Sequence, residues 1–211
     1  NIETDFSARN EKFTTFVDKV VAAAKAAPAD GELAKLESGG STLEDLATDL
    51  TAVIGEKITL RRYAKLAIGE GKHGQCSAYV HMGGRIGVIL SLEAETAEAA
   101  KSDAASTFAE ETCMQIAAMN PLVLKREHLD PELVAKQKEI FEAQLREDPK
   151  PKPEKVWPKI VEGKINSWYS EVCLLDQESA QHKKKIDELR REAGKAAGAG
   201  LAITGFVRFE L

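Results

Sequence analysis

The stretch CSAYVHMGGRIGVILSLE, residues 76–93, decides the class of fold that this sequence predicts. Two strand-like runs, residues 76–82 and 86–93, are separated by Gly83 and Gly84. Glycine adopts the positive φ angles that tight turns between strands require. The stretch therefore predicts an antiparallel β-hairpin near the centre of the chain.

Helices are predicted on both sides of this β-hairpin. Apolar residues recur at helical spacing over residues 8–27 and 96–119. A third helix opens with Ser41 and Glu44, which have the spacing of a capping box. Gly55 is placed to end that helix as a left-handed C-cap residue.

Two further stretches predict strands. Residues 58–63 and 203–210 alternate apolar and polar side chains, as a strand with one buried face does. A charged helix is predicted before the second of them, over residues 182–197. Gly198 and Gly200 end this helix, because glycine in its interior would be unfavourable.

A helical hairpin is predicted late in the chain. Asp130 is a suitable N-cap, and Pro131 after it suits the first turn of a helix over residues 131–147. A stiff proline-rich connection, residues 149–153, leads to a second amphipathic helix between residues 157 and 172. Two such helices joined by a short link are expected to pack antiparallel, so the whole pattern indicates an α+β fold.

The composition is that of an ordinary globular protein, and it narrows the classes of function. The 211 residues are 43% hydrophobic and 30% charged, with a net charge of −5. This charge argues against a nucleic-acid binder that relies on a broad basic surface. No apolar run approaches the roughly 18 residues of a membrane span. Three widely spaced cysteines indicate reduced, buried thiols rather than a zinc ribbon or a disulfide framework.

The sequence contains no motif that predicts catalysis, nucleotide binding or a metal site. The glycine-rich stretch 69–74 lacks the Gly-x-x-x-x-Gly-Lys-Ser/Thr order of a phosphate-binding loop, and no helix is predicted directly after it. The histidines share no metal-ligand spacing with Cys, Asp or Glu. We therefore expect no catalytic residue, no metal and no cofactor.

One aromatic residue near the start of the chain has two interpretations. Phe6 lies among polar residues directly before a predicted helix. Considered by itself, it is best interpreted as a hydrophobic staple that packs on the first helical turn. The other interpretation is an anchor that enters a pocket of a partner protein, with Asp5 beside it as a charged guide.

The residues around Phe6 also resemble a known family. Residues 4–10, Thr-Asp-Phe-Ser-Ala-Arg-Asn, are similar to the Thr-Asp-Phe-Val-Ala-Arg-Asn signature of elongation factor Ts, with Ser7 in place of the commoner valine. Other stretches similar to that family follow in the same order: residues 54–58, 60–62, 79–81, 84–88, 117–121, 160–164, 174–177 and 205–210. The resemblance covers the whole chain, and its ordered blocks are highly specific.

The resemblance implies a division of the chain into three parts. One core subdomain is expected over residues 1–73, and a second is expected to combine residues 74–123 with residues 176–211. Residues 124–175 are expected to form a helical hairpin that projects from the second subdomain. The small N-terminal helical domain of the family is not part of this sequence, so we expect weaker partner binding than by the intact factor.

The resemblance also implies a function and a set of contact residues. It implies a guanine-nucleotide exchange factor that binds elongation factor Tu carrying GDP and promotes GDP release without covalent chemistry. Phe6, with Asp5, is expected to enter between two helices of that GTPase beside its magnesium and phosphate site. Ile54 and Gly55 are expected to contact another helix of the GTPase, and His81 lies in a second contact region.

Several alternatives remain open at the level of sequence. The chain could bind elongation factor Tu as a stabilising partner without accelerating exchange, or it could be a small-molecule enzyme on a similar fold. We expect no direct nucleic-acid or membrane partner. A homodimer through the helical hairpin is left open, and a bacterial cytoplasm is the expected compartment, with an organelle as the alternative.

Overall fold

The computed structural model describes residues 1–28, 32–148, 150 and 152–211. Within these residues the chain forms two compact units, whose main spans are Asn1–Lys65 and Leu66–Glu210. Helices accompany a two-stranded and a three-stranded antiparallel sheet. This combination confirms the predicted α+β class.

The first unit contains two helices and the smaller sheet. Its elements are α1 (Glu11–Ala26), β1 (Glu37–Ser38), β2 (Ser41–Thr42) and α2 (Leu43–Ile54). The predicted capping box of Ser41 and Glu44 is wrong by one position. Ser41 pairs with Ser38 in the sheet, and the Oγ1 of Thr42 accepts a hydrogen bond from the Asp45 amide at 3.1 Å.

The core of the first unit lies between α1, α2 and the segment that follows α2. Phe13 and Phe16 of α1 pack there with Ala47 and Ile58. The predicted strand over residues 58–63 is wrong, because this segment joins neither sheet of the described chain. Ile58 is nevertheless buried, so the alternating pattern had identified a segment with one buried side.

The backbone and side chains of residues 58–63 bond to scattered partners instead of a neighbouring strand. The amino group of Asn1 donates to the Thr59 carbonyl at 2.8 Å, and the Thr59 amide donates to the Asn1 carbonyl at 2.9 Å. The Tyr63 hydroxyl donates to the Pro28 carbonyl at 2.9 Å. These bonds hold an extended segment in place without a ladder of strand pairs.

The second unit is built on the three-stranded sheet. Its strands are β3 (His73–His81), β4 (Ile86–Ala94) and β5 (Leu201–Glu210), with β4 in the middle. The turn between β3 and β4 has φ angles of 66° at Gly83 and 103° at Gly84, which glycine adopts without strain. The predicted β-hairpin and the predicted last strand are thus confirmed.

Helices cover the buried face of this sheet. After β4 come α3 (Ala97–Ala100) and α4 (Asp103–Met119), and α4 packs on β3 and β4. The predicted single helix over residues 96–119 is wrong, because Ser102 starts a new helix by accepting a hydrogen bond from the Ala105 amide. Buried residues of β4, α4 and β5 form the core: Val88, Leu90, Leu92, Phe108, Cys113, Ile116, Leu201 and Ile203.

The helical hairpin is present and has its own small core. It consists of α5 (Pro131–Arg146) and α6 (Trp157–Val172), and Asp130 caps α5 as predicted. Leu145 of α5 is buried with Val161 and Ile165 of α6. The predicted proline-rich connection includes residues 149 and 151, which lie outside the described residues.

A final helix, α7 (Ile186–Ala197), precedes β5. It begins four residues later than predicted, because the preceding loop is closed by a bond from the Ser179 amide to the Lys184 carbonyl at 2.8 Å. Gly198 ends the helix with a φ of 78°, as predicted.

Candidate partner-binding site

The aromatic side chain at the start of the chain projects into solvent. Phe6 exposes 86% of its surface, whereas Ser7 directly after it is buried. A short 3-10 turn, Ser7–Arg9, then leads to Asn10, whose side chain caps α1. The hydrophobic-staple interpretation of Phe6 is therefore wrong, because a staple would cover the ring by packing it on the helix.

A single carboxylate holds the segment on both sides of Phe6. Oε2 of Glu56 accepts from the Thr4 amide at 3.0 Å. Oε1 of Glu56 accepts from the Thr4 hydroxyl at 2.8 Å and from the Ser7 hydroxyl at 2.6 Å. The hydrogen bonds from Ser7 and then Thr4 hold the pKa of the Glu56 carboxyl below its ordinary value. Glu56 is therefore ionised at neutral pH, and it fixes the backbone that carries Phe6.

Two of the predicted contact residues form the end of α2, next to this carboxylate. Ile54 is half-buried against the core of the first unit. Gly55 ends α2 with a φ of 82°, and its amide donates to the Thr51 carbonyl at 2.8 Å. The predicted C-cap is confirmed. Because Glu56 follows Gly55 directly, its hydrogen bonds bring residues 4–7 to the end of α2.

Apolar surface continues from this point along the helices of the first unit. Val53 is exposed beside Ile54. It borders a groove of about 450 Å³ between α1 and α2. The walls of the groove combine apolar and charged side chains: Glu11, Lys12, Thr15, Phe16, Lys19, Leu46, Asp49, Leu50 and Val53. The groove is therefore a mixed apolar and charged surface of the first unit.

The remaining predicted contact residue, His81, belongs to the second unit. It is exposed at the end of β3, where its Nδ1 lies 2.9 Å from the Tyr79 hydroxyl and its ring stacks on that of Tyr79. A cavity of about 430 Å³ adjoins it, lined by Met82, Ile86 and Met114 among others. The surface around His81 therefore includes apolar side chains and a cavity. It gives no reason to discard the alternative of a small-molecule enzyme.

Known proteins are similar to this chain over nearly its whole length, including the stretches around Phe6 and Gly55. The sequence profile of the family described as Elongation factor TS matches residues 3–211. The chain belongs to the elongation factor Ts family. Membership gives it a role in translation elongation.

Bacterial relatives agree with this assignment to the elongation factor Ts family. A protein named Elongation factor Ts from Clostridium botulinum (strain Eklund 17B / Type B) is 38% identical over 214 residues, which cover 100% of this chain and 68% of the relative. The namesakes from Clostridium perfringens (strain SM101 / Type A) and Bdellovibrio bacteriovorus are 39% and 40% identical, with the same coverage.

The structure relates two stretches by which the sequence resembles elongation factor Ts. Residues 4–10 carry the exposed Phe6, and residues 54–58 carry Ile54, Gly55 and Glu56. Sequence reasoning included Glu56 in the matched stretch but assigned it no role. The signal was its position directly after a helix-ending glycine; its partners, about 50 residues away, leave no trace in local sequence.

The part of the chain that the structure describes offers neither a metal-binding cluster nor a membrane-spanning helix. Within the described ranges, no group of three or more His, Cys, Asp or Glu residues could hold a metal ion. No helix among those residues is long and apolar enough to cross a membrane. Cys113 and Cys173 are buried as predicted, but Cys76 is exposed, contrary to the prediction.

Proposed function

We propose that this chain is a guanine-nucleotide exchange factor that binds elongation factor Tu in its GDP-bound and nucleotide-free forms. In this proposal it disturbs the magnesium and phosphate site of the GTPase and promotes GDP release, without covalent chemistry. The observation that carries the proposal is Phe6, an aromatic side chain exposed to 86% on a segment that hydrogen bonds hold in place. A large apolar ring presented in this way suits insertion into a partner's pocket.

The proposed mechanism is thermodynamic linkage. A protein that prefers the nucleotide-free GTPase weakens GDP binding by the same factor by which GDP weakens its own binding. Magnesium neutralises the phosphates of a bound nucleotide, so displacing the ion accelerates GDP release. GTP then rebinds and displaces the factor. No acid, base or nucleophile of this chain is needed for these steps.

Each contact residue has a proposed role in this cycle. Phe6, guided by Asp5, enters between two helices of the GTPase beside its magnesium site. Ile54 and Gly55 contact another helix of the GTPase, and the exposed Val53 beside them extends that apolar surface. His81 takes part in a second contact region.

The proposal also covers the domain organisation, self-association and cellular compartment of the protein. In this proposal residues 124–175 act as an arm beside core subdomains at 1–73 and at 74–123 with 176–211, and a homodimer would form through this arm. The expected compartment is a bacterial cytoplasm, which fits the bacterial sources of the relatives. No direct contact with nucleic acid or membrane is proposed.

The test is the release of fluorescent GDP from elongation factor Tu, followed by stopped flow with the unmodified chain and with Phe6→Ala. An interface anchor contributes about 2 kcal/mol or more, so the variant is expected to slow accelerated release roughly 30-fold. Because Phe6 is exposed, the variant should unfold at the temperature of the unmodified chain. Val21→Ala, an exposed apolar residue of α1 in the same unit, is the matched control and should leave release unchanged.

Two results would decide against parts of the proposal. Unchanged GDP release with Phe6→Ala would remove the anchor role of this ring. Tight binding of the unmodified chain without any accelerated release would instead support the alternative function, a stabilising partner of elongation factor Tu.

A further inference from the structure

The segment that carries Phe6 is tied to the rest of its unit by side-chain hydrogen bonds. Thr4 and Ser7 flank Phe6, and both donate to the carboxylate of Glu56. Ser7 exposes only 6% of its surface, whereas Phe6 exposes 86%. The hydrogen bonds of Thr4 and Ser7 to Glu56 therefore fix the direction in which the Phe6 ring leaves the surface.

We propose that Glu56 is the positioning residue for Phe6, which it holds in the conformation that the partner GTPase binds. This inference rests on the proposed exchange function and adds a residue to it. Glu56 acts through Thr4 and Ser7, so its role differs from that of a residue that enters the partner.

Local bonds extend the effect of this carboxylate along the segment. The Ser7 amide donates to the Thr4 hydroxyl at 3.2 Å. The Ala8 amide donates to the Thr4 carbonyl at 3.0 Å, and the Arg9 amide donates to the Phe6 carbonyl at 3.2 Å. Thr4 is thus the link between Glu56 and the turn around Phe6. Without the carboxylate, we expect this turn to lose its single conformation.

A segment that is ordered before binding loses less conformational freedom when the complex forms. If only a fraction of molecules has the competent conformation, the apparent dissociation constant rises by the inverse of that fraction. The complex that does form still contains Phe6 in its place. Loss of Glu56 should therefore raise the concentration of chain needed for half-maximal exchange, while the maximal rate at saturation changes little.

The experiment compares Glu56→Ala, Glu56→Gln and Phe6→Ala in GDP release from elongation factor Tu over a range of chain concentrations. Glu56→Ala is expected to raise the half-saturating concentration about 10-fold, which corresponds to roughly a tenth of molecules in the competent conformation. Phe6→Ala should lower the maximal rate instead. Glu56→Gln keeps one acceptor oxygen and is expected to lie between Glu56→Ala and the unmodified chain.

Amide hydrogen exchange of the chain alone supplies a readout that does not depend on the GTPase. The amides of Thr4, Ser7, Ala8 and Arg9 should exchange faster in Glu56→Ala than in the unmodified chain. Glu44→Ala removes an exposed carboxylate at the other end of α2 and is the matched control. It should change neither amide exchange at residues 4–9 nor the half-saturating concentration.

The outcomes separate the positioning role from the exchange function. If Phe6→Ala slows release but Glu56→Ala alters neither amide exchange nor half-saturation, the positioning role alone is overturned. A Glu56→Ala variant that lowers the maximal rate with unchanged amide exchange would overturn it too, because Glu56 would then act directly on the partner. If Phe6→Ala leaves release unchanged, the anchor role of Phe6 is refuted, and the positioning role of Glu56 in exchange is overturned with it.

Discussion

Replacing Arg126 with alanine is expected to destabilise the base of the helical hairpin. The guanidinium of Arg126 donates through Nε to Asp176 Oδ2 and through Nη2 to Asp176 Oδ1, both at 2.8 Å. Its Nη1 donates to Asn166 of α6 at 3.1 Å, and its carbon Cζ lies 4.7 Å from the centre of the Tyr169 ring. One side chain thus joins the chain entering the hairpin to α6 and to the residues after α6.

The expected size follows from how far this pair is removed from water. The side chain of Arg126 is 39% exposed and that of Asp176 is 18% exposed. Exposed ion pairs contribute about 0.2–1 kcal/mol, and breaking a buried pair costs about 3–5 kcal/mol. An intermediate cost of about 2 kcal/mol is expected here because the geometry is bidentate but one partner is partly exposed. In a chain of this size that loss lowers the unfolding temperature by roughly 4–8 °C.

The assay is thermal and urea unfolding of Arg126→Ala, Asp176→Ala and the double variant. The cycle should give a coupling free energy of about 1–2 kcal/mol between the two residues. Arg146→Ala is the matched control, because its pair with Glu142 has a 3.8 Å separation and side chains that are 67% and 46% exposed. That variant should change the free energy of unfolding by about 0.5 kcal/mol or less. If Arg126→Ala were no more harmful than Arg146→Ala, this reasoning would be refuted.

Two further predictions concern titratable groups. Burial raises the pKa of all three thiols, to about 12 at Cys113 and to about 11 at Cys173, but Cys76 is exposed whereas the other two are buried. A thiol reagent near pH 8 should therefore label Cys76 first, and Cys76→Ser should abolish this early labelling. Rapid labelling of two or three thiols in the native chain would contradict this. The hydrogen bond from Arg126 lowers the pKa of Asp176, so its stabilisation is present above the ordinary carboxyl pKa of about 4 and is lost as pH falls through the lower folded value. Asp176→Asn should flatten the loss of unfolding free energy below about pH 4, and an unchanged slope would refute the assignment.

Much of the fold was predictable because its elements begin and end at residues with strong local preferences. Asp130 and Pro131 start α5, and Gly55 ends α2, as their backbone and capping preferences indicate. The β3–β4 turn likewise follows from two adjacent glycines. The strand predicted over residues 58–63 failed for a physical reason. An alternating pattern reports one buried side, but a strand also needs a neighbour that accepts and donates along its backbone.

The candidate site, like the fold, was predictable from the sequence only in part. The sequence marked residues 4–10 and 54–58 as similar to elongation factor Ts, but it could not decide whether Phe6 packs inward or projects. The structure decided this, because Ser7 is the buried residue and Phe6 the exposed one. Exposure depends on which direction the fixed turn gives each side chain, and distant partners set that direction.

By itself, the sequence determined the family through its ordered blocks of similarity. It also determined the α+β class and most helix and strand ends, because caps, turns and periodicity act over a few residues. Only the tertiary structure decided which residues hold the exposed aromatic ring. Thr4 and Glu56 are 52 positions apart, and Arg126 and Asp176 are 50 positions apart. Such pairs meet only when packing of the intervening helices brings them together, so no local pattern reveals them.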